Sequence, residues 1–64
     1  MFKDLGNGVY LSGIYYPRNM EYFAQDLSTF KKMHPQLAIT AIDCLKIRQP
    51  HPDDVQFVVN TEPR

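Results

Sequence analysis

The chain has 64 residues and a mass of 7.5 kDa, is 44% apolar, and balances seven Asp/Glu with seven Lys/Arg. Leu, Ile, Val and Phe supply 17 of the residues, above the range of disordered chains, and a single cysteine excludes a disulfide-stapled scaffold. Zero formal net charge and a pI of about 6.7 remove the basic footprint of a dedicated nucleic-acid or anionic-membrane binder.

Residues 2–5 and 9–16 flank Gly6-Asn7-Gly8. An Asn-Gly between apolar runs predicts a hairpin, because both residues tolerate positive φ. Pro17 ends the second arm. A helix is predicted over 20–33, with Asn19 as its N-cap and Glu21 suited to the positive end of the dipole. Met20, Phe23, Ala24, Leu27, Phe30 and Lys31 recur at helical spacing, while Glu21, Gln25, Asp26, Ser28, Thr29 and Lys32 fall between them. Pro35 stops the helix, since its predecessor avoids the α region.

Residues 37–48 alternate as a long strand, Pro50 and Pro52 mark a loop, and 55–60 read as a returning strand with 61–64 as a tail. The order β(β)αββ predicts one α+β domain over residues 1–64, a small three- to four-stranded mixed sheet with one helix packed on one face. The crossover would make 9–16 and 37–48 parallel, and the last two strands antiparallel.

Alternation along unbroken strands sorts the side chains into two faces. Val9, Leu11, Gly13, Tyr15, Leu37, Ile39, Ala41, Leu45, Ile47, Val55, Phe57 and Val59 would lie under the helix. Asp43, the polar misfit of that set, would need a partner if buried and is expected near an edge or a helix end. The opposite face would carry Tyr10, Ile14, Tyr16, Ile42, Cys44, Lys46, Arg48 and Val58, with nothing in the chain to cover them. Such a half-apolar patch, rich in Tyr and Arg, is the candidate partner-binding surface. The first expectation is therefore a non-enzymatic protein acting through protein–protein interaction, with a homodimer as the partner state. Single-stranded nucleic acid held by the Tyr/Lys/Arg face is the alternative. Cys44 cannot form an internal disulfide, which points to a reducing, cytoplasmic compartment, and no apolar run is long enough for a membrane span.

Pro50-His51-Pro52-Asp53-Asp54 resembles the His-Pro-Asp-Asp motif of the zinc-dependent deacetylases that act on N-acetylglucosamine conjugates. That resemblance implies zinc on His51 and Asp54, with Asp53 as base. It covers five residues. The family carries a full α/β domain and a further ligating His after the motif, whereas ten residues follow here and His34 precedes it. Pro, Asp and His are also ordinary loop residues. Metal-dependent activity at this loop is accordingly the remote alternative, and no cofactor, metal ligand or catalytic residue is assigned.

Overall fold

The computed structural model describes residues 2–47 and 54–64. Its strands are β1 (Lys3–Gly6), β2 (Val9–Tyr15), β3 (Leu37–Ile47) and β4 (Asp54–Pro63), and its one α-helix is α1 (Met20–Met33). They form a single sheet in the order β1-β2-β4-β3. β2 and β3 run in the same direction, as the crossover predicts. β4 lies between them, so every hydrogen-bonded pair is antiparallel, and the expected mixed sheet is an antiparallel one.

The hairpin forms where Asn-Gly predicts it: Gly6, Asn7 and Gly8 have φ of 90°, 56° and 77°. The Gly8 carbonyl accepts two bonds at 2.8 Å, from the Thr61 amide and the Thr61 hydroxyl. These bonds and the pairing of Leu37 with Pro63 extend β4 through the residues read as a tail. Pro63 is tolerated because β2 ends at Val9 opposite Asn60, leaving one side of the strand end without a ladder partner.

The helix keeps its predicted bounds, but Asn19 does not cap it with its side chain. A 3-10 turn (Pro17–Asn19) leads directly into α1, and the Asn19 amide donates to the Tyr16 carbonyl at 2.9 Å. At φ −109°, ψ 15°, Asn19 is outside the extended region from which a capping side chain usually reaches forward.

The buried stripe of α1 is also rotated from the expected one. Phe30 is buried, Phe23, Asp26, Leu27 and the following His34 are half-buried, and Met20, Ala24 and Lys31 are exposed. The core is aromatic. Phe23 stacks on Phe57 (centroids 4.0 Å, 19°) and meets Tyr15 edge-on at 5.5 Å, while Tyr10 meets Phe30 at 4.8 Å.

Those contacts place Tyr10, Tyr15 and Phe57 together under the helix, which unbroken alternation forbids for residues five apart on β2. The register supplies the reason. From Leu11↔Val58 to Ile14↔Gln56, β2 advances three residues and β4 two, so β2 contains a bulge. Ser12 holds it: the Phe57 amide donates to Ser12 Oγ at 2.8 Å, and that hydroxyl donates to the Gly13 carbonyl at 2.7 Å. β3 carries an extra residue at Thr40, between Ile39↔Thr61 and Ala41↔Asn60, and Thr40 Oγ1 donates to the Asn60 carbonyl at 3.2 Å.

Each bulge shifts side-chain parity by one. Ile42, Cys44 and Lys46 pair with Val59, Phe57 and Val55 and therefore share the helix-side face. Ala41, Asp43 and Leu45 move to the open face with Val9, Leu11, Ile14 and Val58. Gly13 and Ala41 are exposed rather than small contacts beneath the helix. Asp43 does lie on an edge strand, as its charge requires, and accepts a bond from Asn60 Nδ2 at 3.3 Å.

Ser12 is 3% exposed, so Ser12→Ala leaves the Phe57 amide without its acceptor. A loss of about 1–3 kcal/mol in urea unfolding is expected. Gly8→Ala places a Cβ 2.6 Å from the Thr61 carbonyl oxygen at a positive φ, whereas a Cβ on Gly13 meets nothing within 4 Å. Gly8→Ala is therefore expected to lower stability by about 2–3 kcal/mol, with Gly13→Ala much milder in the same assay.

Candidate functional site

Of the eight residues expected to form one uncovered face, those in the described strands are divided by the two bulges. Tyr10 lies beneath the helix, with its ring 4.8 Å from Phe30 and 5.7 Å from His34. It is not part of an open stacking platform with Lys46. Ile42, Cys44 and Lys46 sit on the helix side of β3, beyond the helix and exposed, while Ile14 and Val58 face the opposite way. Tyr16 is exposed at the end of β2. Arg48, His51 and Asp53 lie outside the described residues, as do the metal expectations placed on that loop. Asp54 begins β4 and is buried.

Two surfaces remain. The first is β3, one of the two edge strands of the sheet, whose residues 40–46 are all exposed although Ala41, Ile42, Cys44 and Leu45 are apolar. Ile42 and Leu45 are 42% and 43% exposed on opposite faces. The second is a groove of about 470 Å³ at the other side of the sheet, between the N-terminal segment, β2 and α1. Phe2, Tyr10 and Phe30 line it, with Asp4, Asp26 and His34 among its polar groups.

Sequence reasoning placed Asp26 on the wet face of the helix and did not consider the groove. The signal was present: Asp26, Phe30 and His34 recur at i, i+4 and i+8, one continuous stripe. Among the described residues no group of three or more His, Cys, Asp or Glu could hold a metal ion, and no helix is long and apolar enough to cross a membrane.

The polar anchor of the helix is Tyr15 Oη, which donates to Asp26 Oδ2 at 2.5 Å. Burial, then the hydrogen bond to Asp26 and its charge, push the Tyr15 hydroxyl well above the ordinary tyrosine range. The same bond holds the Asp26 carboxyl below its ordinary value.

Compared with models of known protein families, with curated proteins and with solved structures, the chain matches none.

The pair sets a stability window with opposite signs at its two ends. Asp26, lowered on folding, stabilises above the ordinary carboxylate pKa of about 3.9, and that contribution disappears as pH falls through the folded value. Tyr15, raised on folding, stabilises fully below the ordinary tyrosine value of about 10, and its contribution is lost as pH rises through the folded value. Urea midpoints measured across pH are expected to fall at both ends, with Tyr15→Phe flattening both falls. An unchanged profile in that variant would exclude the pair as their source.

Proposed function

We propose that this chain is a non-enzymatic α+β protein that acts by binding protein, with a second copy of itself as the first partner and β3 as the docking edge. The observation that carries this reading is the exposure of residues 40–46 on both faces of an 11-residue edge strand. A strand of that length whose outer edge has no ladder partner among the described residues is a template for further pairing. Across a two-fold axis, β3 would meet its own copy antiparallel and join two four-stranded sheets into one, and such an interface is self-complementary.

Shape supports the same conclusion. The chain exposes 4790 Å², against about 4,250 Å² for a folded monomer of this mass. Its radius of gyration is 12.0 Å, against about 10.7 Å for a compact domain of this length. Ile42 and Leu45 are among the large apolar side chains left exposed. Zero net charge imposes no overall electrostatic repulsion between copies. The cellular role in this reading is accessory, in the cytoplasm, where Cys44 stays reduced.

Light scattering over a concentration series tests it. The expected mass is twice 7.5 kDa at high concentration, falling toward the monomer on dilution. Leu45→Lys and Ile42→Lys, each placing a charge on the edge, are expected to raise the dimer dissociation constant at least about tenfold, a change of roughly 1.4 kcal/mol. The helical circular dichroism signal should be unchanged. A monomer up to about 1 mM, or a dimer indifferent to both substitutions, would overturn the reading.

A further inference from the structure

The pairings of the four strands set one row of residues across the whole sheet: Lys3 lies opposite Leu11, Leu11 opposite Val58, and Val58 opposite Asp43. Residues directly opposite on antiparallel strands share a face, so all four lie on the side away from the helix. The row carries an exposed cation at one edge, two half-buried apolar side chains in the middle and an exposed carboxylate at the other edge. The rows on either side of it, Gly6-Val9-Asn60-Ala41 and Ile14-Gln56-Leu45, contain no charged residue.

Within one chain the two charges cannot meet. Three interstrand steps of about 4.8 Å put their backbones roughly 14 Å apart, with Leu11 and Val58 between them. Asn60 Nδ2 donates to Asp43 Oδ2 at 3.3 Å, a neutral contact that leaves the charge of the carboxylate in place.

We infer that this face stacks on the same face of a second copy, about a two-fold axis that runs along the strands between the two sheets. That axis lays β1 of each copy over β3 of the other and keeps every row at its own height. Lys3 of each copy then faces Asp43 of the other, and Leu11 faces Val58. A two-fold axis across the strands would instead set Lys3 over Lys3 and Asp43 over Asp43, which like charge disfavours. Aligned sheets pack about 10 Å apart with their strands within about 30° of each other. A lysine from one sheet and an aspartate from the other close that gap between them.

The two larger extents of the chain are 36 and 21 Å. They limit its broad side to on the order of 700 Å², just under the roughly 800 Å² per partner of a standard interface. With Asn60 and Gln56 among its rows, the contact is weaker than edge pairing, and covalent capture reports it better than mass does. It does not rest on the β3 reading. In a dimer joined through β3, Lys3 lies at the far end of each sheet from the junction, out of reach of the other copy's Asp43.

Zero-length carbodiimide coupling, which joins an amine and a carboxylate only where they touch, tests the stack on an equal mixture of isotope-labelled and unlabelled full chain. Mass spectrometry of the digest is expected to show a bridge from Lys3 of one chain to Asp43 of the other, in mixed-label form. Its yield should be about tenfold above that of bridges from Asp43 to Lys31 or Lys32, which are exposed on the helix. Ile42→Lys charges the β3 edge on its helix-side face and should leave the bridge intact, whatever it does to edge pairing. The combined Lys3→Asp and Asp43→Lys variant reverses the row and should give the reciprocal bridge in equal yield. Absence of a mixed-label bridge, a yield no higher than those to Lys31 and Lys32, loss of the bridge in Ile42→Lys, or no reciprocal bridge in a combined variant with unchanged circular dichroism would overturn the inference.

Discussion

The bond from the Phe57 amide to the Ser12 hydroxyl decides which side chains reach the core. A ladder position that would otherwise be a backbone pair is taken by a side-chain oxygen at 2.8 Å, so β2 contains one more residue than β4 requires. Tyr10 and Tyr15 thereby share a face, and each meets a different turn of α1 through Phe30 and Phe23. Without the bulge one tyrosine would point away from the helix, and its contact with α1 would be lost. Thr40 uses the same device in mirror role on the far side of β4, donating to the Asn60 carbonyl instead of accepting an amide. β4 is the regular strand against which both neighbours are offset.

Much of the architecture was legible in the sequence for local reasons. Asn7-Gly8 fixed a turn by its φ requirements, Pro17 and Pro35 bracketed the helix, and the runs at 37–48 and 55–60 had strand composition. The faces were not legible by counting, because period-two alternation assumes an unbroken ladder. Gly13, a glycine in a strand interior, was the available warning of a bulge. Thr40 gave none, since threonine is ordinary in strands and its bond depends on a strand 20 residues away. The helix stripe was misplaced for a related reason. Asp26 counts as polar by composition, yet it faces inward because Tyr15 carries its hydroxyl there.

The inversion of β3 also changes what the open surfaces are. Even alternation would have concentrated Ile42, Cys44, Ile14 and Val58 in one patch beneath the sheet. The bulge at Thr40 distributes them over two faces and leaves the apolar character at the margin, on a strand whose outer amides and carbonyls lack a ladder partner in the described sheet. An edge recruits a partner through backbone pairing as well as apolar area, which favours a strand-to-strand contact over face-to-face stacking.

Strand order then relates the two surfaces. In a dimer joined through β3, the strands would run β1-β2-β4-β3 and back through the second copy in reverse. Seven interstrand steps of about 4.8 Å separate the two copies of β1, roughly 34 Å before twist shortens the path. The grooves beside β1 and β2 would therefore sit at opposite ends of the joined sheet, each complete within its own chain. Neither would gain or lose a wall on association. The aromatic groove and the β3 edge lie on opposite sides of β4, which is where Ser12 and Thr40 anchor the two halves of the sheet.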